Sequence, residues 1–190
     1  MNPPSARPSS SRLELDGLEL VPLEPFHAPL ILQMVAQRGN RFLFDVGDDP
    51  DQIANMLSEL RKAPWSLTMA IVRDEQCLGM ATSGLANLRS LHASVLALFV
   101  DPSDAASALA LYVRHLFWNF PLRRLHAQVP LMDLTEDYVD LYSRVGFRDE
   151  GRLSAHAVIA GKAFDVATLG LLRTDFEDWC DQHEPRLAWR

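Results

Sequence analysis

Cysteine is scarce: Cys77 and Cys180 are the only two in 190 residues. Two cysteines build no disulfide framework, and neither lies in a metal-ligand spacing. Both are expected to be thiols of a reducing cytoplasm, with no metal site. Basic charge is short as well. Lys and Arg total 18 against 25 Asp and Glu, a net charge of −7. That excludes a nucleic-acid grip built on phosphate neutralisation. No apolar run approaches the ~18 residues of a membrane span, so no membrane partner is expected. Residues 1–11 hold almost nothing apolar. Their Pro, Ser and Arg composition cannot offset the entropy of ordering, and it lacks the apolar stretch of a signal peptide. Residues 1–17 therefore read as a flexible tail and 18–190 as a single domain.

The rest is ordinary for a globular domain, with 48% hydrophobic and 23% charged residues,. Leu18 to Leu23 alternates like a strand. Leu30, Ile31, Met34 and Val35 form a helical stripe that Gly39-Asn40 stops. Asp49 and Pro50 open a second helix carrying Ile53, Met56, Leu57 and Leu60. Three strands follow, over 67–72, 77–86 and 92–100. Gly79 and Gly84 suggest bends or close backbone approach in the second of these. The third is apolar on both faces, as in a central strand. Ser103 then caps a helix with Leu109, Tyr112, Val113, Leu116 and Phe117 on one face. A strand over 123–129 leads to a helix capped by Thr135, with Tyr138, Leu141, Tyr142 and Val145 on one face. Gly146 suits its left-handed end. Strands over 147–159 and 163–172 form a hairpin about Ala160-Gly161, and Thr174 caps a last helix. The order β-α-α-β-β-β-α-β-α-β-β implies an α+β (mixed α/β) domain around a mixed sheet.

That order and three local patterns resemble the GNAT acyltransferase superfamily over residues 18 to 177. The nearest look is to the branch that acetylates the N-terminal alanine of ribosomal proteins. Leu141-Tyr142-Ser143-Arg144-Val145-Gly146-Phe147 is similar to the family's L-Y-x-K/R-x-G-F helix ending. Gly161 to Asp165 with Leu171-Leu172 is similar to that branch's closing hairpin. Pro64-Trp65 and Leu78-Gly79 are similar to its opening of the second and third strands. The resemblance implies a mostly antiparallel twisted sheet, splayed between the family's fourth and fifth strands and flanked by helices. It implies acetyl-CoA or another acyl-CoA as cosubstrate, and a small-molecule or peptide amine as acceptor; monomer and homodimer both stay open. It places the cofactor along Leu98 and Val100, on the helix start at Ala105, Ala106, Ala108 and Ala110, and at Thr135.

The helix start departs from the family pattern. Ala105 stands where Arg or Gln belongs, and Ala108 where the first glycine belongs. Asp104 adds negative charge, unless it serves as an ordinary first-turn acid. Asp133, Glu136, Asp137 and Asp140 add more around the following helix. Two readings stay open here. One is a weakened cofactor site; the other is a non-catalytic GNAT-fold binding or structural protein that has lost normal acyl-CoA binding.

Acyl transfer to an amine needs a deprotonated amine, a polarised thioester and a protonated leaving thiolate. The resemblance makes Tyr142 the general acid toward sulfur; the reading from residues alone makes it a core aromatic. His92 and His126, on the two strands expected to part, have the pKa range of a general base. A lone histidine on a strand is more often structural, and nothing pairs with either of these in sequence.

Overall fold

The computed structural model describes residues 14–24, 27, 29, 34, 51, 55, 58, 59, 67–87, 89–100, 103–132, 136–159 and 161–187. Eight strands form one sheet: β1 Glu14–Leu15, β2 Leu18–Pro22, β3 Leu67–Arg73, β4 Gln76–Asn87, β5 His92–Phe99, β6 Arg124–Pro130, β7 Arg148–Ile159 and β8 Lys162–Leu172. Their spatial order is β1-β2-β3-β4-β5-β6-β8-β7. β5 and β6 pair in parallel, and every other neighbouring pair is antiparallel. Helices α1 Ala105–Asn119, α2 Glu136–Arg144 and α3 Arg173–His183 follow β5, β6 and β8. The expected α+β class with a mostly antiparallel sheet is observed. The helical stripes at 30–35 and 53–60 fall largely outside the described residues, as does all of 1–13.

The fold begins ahead of the boundary expected at residue 18. Asp16 and Gly17 both have positive φ, 52° and 74°, the conformation of a two-residue hairpin turn that Asp-Gly favours. That turn folds Glu14–Leu15 back onto β2, and the buried side chains of Leu15 and Leu18 fasten it.

Two helix starts also differ from expectation. The N-cap of α1 is Asp104, not Ser103. The N-cap of α3 is Leu172, so Thr174 lies inside the first turn. Arg173 replaces a capping hydroxyl in importance. Its guanidinium donates to the carbonyls of Phe117, Phe120 and Leu122, at the C-terminal end of α1. A cation there meets the negative end of the helix and its unpaired carbonyls. Gly146 ends α2 as expected, at φ 91°. The Gly146 and Phe147 N–H groups donate back to Ser143 and Tyr142. Trp179 of α3 packs against this glycine and donates from its indole to the Arg144 carbonyl at 3.0 Å.

The faces of the sheet follow from alternation. Tyr112 of α1 donates to the Leu67 carbonyl at 2.6 Å and meets Ser83, which pairs with Val95. Ala93, Val95 and Ala97 therefore face α1, in the core with Leu125 and Ala127. His92, Ser94, Arg124 and His126 fall on the opposite face.

Gly79 marks a close approach. A Cβ there would lie 2.4 Å from the Leu98 carbonyl oxygen and 2.7 Å from Phe99 Cδ1. The nearer of these is backbone, which cannot swing away. Gly79→Ala is expected to cost about 1–3 kcal/mol through overpacking, read as a lower urea midpoint with unchanged slope. An unchanged midpoint contradicts the close packing of β4 on β5.

Candidate active site

The ladder between β5 and β6 has three rungs: His92 with Arg124, Ala93 with Leu125, and Ser94 with His126. From Val95 onward the two strands part. β6 stays paired to β8 through Pro130, and β5 stays paired to β4 through Phe99. The gap is thus a wedge within a sheet intact on both sides. The splay that the resemblance implies is present, between the strands it implies.

Backbone freed in a buried wedge needs partners. Tyr142 supplies one, its hydroxyl donating to the Val95 carbonyl at 3.3 Å. The ring is buried and meets Phe147 edge-on, centroids 5.0 Å apart. Burial pushes its phenol far above the ordinary range, so the hydroxyl keeps its proton at every working pH.

Beyond the wedge lies a cleft of about 170 Å³. Phe99 and Ala105 form one side; Asp137, Tyr138, Asp140, Leu141 and Arg144 of α2 form the other. The positive end of α1 opens near this cleft. The N–H groups of Ala105, Ala106 and Ser107 precede the first intrahelical bond, which runs from the Ala108 N–H to the Asp104 carbonyl at 2.9 Å. Such groups attract an anion.

The expected cofactor residues do not all converge here. Ala105 lines the cleft. Ala106 is half-buried and offers its N–H. Ala108 and Ala110 are core residues inside the helix, with their N–H groups held by the helix itself. Leu98 is fully buried in the core and Val100 packs against it. Thr135 lies outside the described residues. The N-cap falls at Asp104, so Ala105, Ala106 and Ser107 form the first turn and Ala108 and Ala110 stand within the helical ladder.

Asp104 does not face the cleft as an open charge. Arg73, at the end of β3, grips it with both guanidinium nitrogens, at 2.6 and 3.1 Å. Sequence reasoning missed Arg73, which stands 31 residues away with no motif around it. On the α2 wall, Arg144 pairs with Asp140 at 3.1 Å, leaving Asp137 as the net charge. The backbone thus fits a phosphate-bearing donor, while the side-chain charge of α2 opposes one.

His92 and His126 are brought together on the opposite face, ring centroids 5.4 Å apart and edge to face. Among the described residues no group of three or more His, Cys, Asp or Glu is placed to hold a metal ion.

A structure described as a putative acetyltransferase from T. thermophilus shares 20% identity with this chain, covering 96% of it and 100% of its own length at a TM-score of 0.77. Mycobacterium smegmatis RimJ, solved with CoA-disulfide, shares 19%, covering 83% of each chain at 0.71. The spermidine N-acetyltransferase of Vibrio cholerae, solved with CoA and spermine, shares 16%, covering 85% of this chain and 99% of its own at 0.73. The chain has the GNAT acetyltransferase fold. No protein-family model and no curated protein matches its sequence.

In this GNAT-fold protein three histidines have lowered pKa values, each chiefly through burial: His27, His115 and His126. Their folded values lie below the unfolded value of about 6.5. The unfolded chain therefore takes up protons first as pH falls. The contribution is complete above about pH 6.5 and is lost as pH drops through the folded values. The thermal midpoint is expected to fall between about pH 7 and pH 5. A flat midpoint over that window contradicts neutral, buried imidazoles.

Proposed function

We propose that this chain transfers an acetyl or other acyl group from acyl-CoA to a primary amine, either a peptide N-terminus or a small amine. One observation carries the reading: β5 and β6 part at Val95, and the first turn of α1, whose N–H groups precede the helical ladder, opens on the cleft beyond. An extended thioester arm fits such a wedge, with its phosphates on the helix end. The V. cholerae and M. smegmatis proteins, solved with CoA and with CoA-disulfide, support the donor class. Spermine in the former supports an amine acceptor. Among the described residues no helix is long and apolar enough to cross a membrane.

Ala105, Ala106 and Ser107 hold the donor's phosphates through their N–H groups. Tyr142 sits where the wedge begins, its phenol protonated and its proton lent to the Val95 carbonyl. A leaving thiolate takes that proton as a proton from the attacking amine replaces it on the phenol oxygen, so no buried phenolate is left. Calorimetric titration with acetyl-CoA tests the donor site, and no heat of binding defeats the reading. Tyr142→Phe is expected to lower kcat about 100-fold while leaving acetyl-CoA affinity in place. It should also cost about 1 kcal/mol of stability from the lost hydrogen bond. A stability loss with unchanged turnover assigns Tyr142 to packing alone.

A second reading rests on the acids of α2. Asp137 and Asp140 stand on the cleft wall, and like charge repels a polyphosphate. A GNAT-fold protein that binds without catalysis fits that wall. Replacing both with Asn separates the two. In an acyl-CoA site the change is expected to tighten acetyl-CoA binding about tenfold, most at low salt. No gain in a folded variant favours the non-catalytic reading.

A further inference from the structure

The sheet face opposite α1 carries a group of side chains that the donor cleft does not use. His92 and His126 meet there edge to face. Arg124, two residues before His126, pairs with Glu150 of β7. This pair lies over Gly170 of β8, which stands opposite His126 in the ladder. A Cβ at Gly170 would sit 2.2 Å from Glu150 Oε1 and 2.6 Å from Arg124 Nη2. The missing side chain is what leaves room for the ion pair near His126. Among the described residues Nδ1 of His92 is buried with no hydrogen-bond partner, a state that costs free energy unless something else meets it.

Position gives the group its meaning. Ser94 with His126 is the last rung before β5 and β6 part. Tyr142 reaches the same point from the helical face, at the Val95 carbonyl. The origin of the wedge thus has a protonated phenol on one face and a pair of imidazoles on the other.

We propose that His126, with His92 beside it, is the base that prepares the acceptor amine, which reaches the wedge from the sheet face opposite α1. The inference rests on the acyl-transfer reading. His126 takes one proton from the ammonium, leaving a free amine and an imidazolium. The amine nitrogen forms its bond to the thioester carbonyl carbon, and the carbon–sulfur bond breaks. The second amine proton replaces the one Tyr142 gives the thiolate, and the imidazolium returns its proton to solvent. His126 is half-buried, and burial, His92 and Arg124 all hold its pKa down, against a smaller opposite pull from Glu150. Arg148, the other cation at this register, points to Asp175 of α3, at 3.2 Å. His126 is therefore neutral and ready to accept a proton at neutral pH.

The test uses the full chain with acetyl-CoA and two acceptor probes, a tripeptide with a free N-terminal amine and spermidine. His126→Gln is expected to lower kcat/KM for the acceptor about 100-fold, with acetyl-CoA affinity unchanged. The acid limb of the pH profile should move up to the pKa of the acceptor amine itself. His92→Gln removes the neighbouring like charge, so it should shift the acid limb to higher pH at a smaller loss of rate. In the unaltered protein, NMR titration should show the His126 ring protonating below the ordinary imidazole value, with both rings responding to the acceptor. An active protein whose His126→Gln variant keeps its rate and profile overturns the base assignment and leaves acyl transfer standing. Where that variant does not fold, a His126 ring that titrates normally and ignores the acceptor overturns it instead. A wild-type protein that binds no acetyl-CoA and acetylates neither probe overturns both readings.

Discussion

A parallel ladder that stops after three rungs sets the terms for everything around it. Ser94 and His126 are the last residues joined, and beyond them β5 gives up its backbone pairing with β6 while its side chains stay in the core. Such groups are tolerated only when something else satisfies them. That requirement explains why α2 lies across the gap, and why its buried aromatic is a tyrosine. Phenylalanine would fill the same space and leave the Val95 carbonyl without its donor. It also explains the abrupt left-handed stop at Gly146, which turns Phe147 back against the Tyr142 ring.

Charge around the cleft is arranged in two layers. The inner layer is backbone: the first turn of α1, equivalent to roughly half a positive charge. The outer layer is side chain and mostly acidic. Two arginines moderate it, Arg73 on Asp104 and Arg144 on Asp140. Neither arginine stands in α1, where the chemistry of anion binding would put one. Both are about a third exposed or more, so salt screens them readily,.

Much of the fold was legible because it rests on local signals. The strands at 67–72 and 92–100, the Gly146 stop and the closing hairpin all follow from periodicity and turn chemistry within a few residues. The splay was legible only through resemblance, since no residue in Val95 to Phe99 says that its neighbour departs. Errors arose where a long-range contact overrode a local preference. Ser103 and Thr174 look like caps, yet Asp104 is fixed by Arg73 and Arg173 by the far end of α1. The early start at Glu14 was readable from Asp16-Gly17, a hairpin signal that the polar neighbourhood obscured. In the site, the pairing of His92 with His126 was beyond sequence, because the two are 34 positions apart and meet only through the parallel rungs.

The two ends of α1 are both held by arginines that belong to other elements. Arg73 comes from β3 and seizes the N-cap carboxylate; Arg173 comes from the first turn of α3 and gathers the terminal carbonyls. The helix is a strut pinned at each end to a different half of the chain. Its axial position, and so the depth at which Ala105 meets the cleft, is fixed by anchors that the cleft does not contain. Slack introduced at the start of α3, 15 residues of helix away from the cleft, would therefore reach it as a change in alignment rather than as a lost contact.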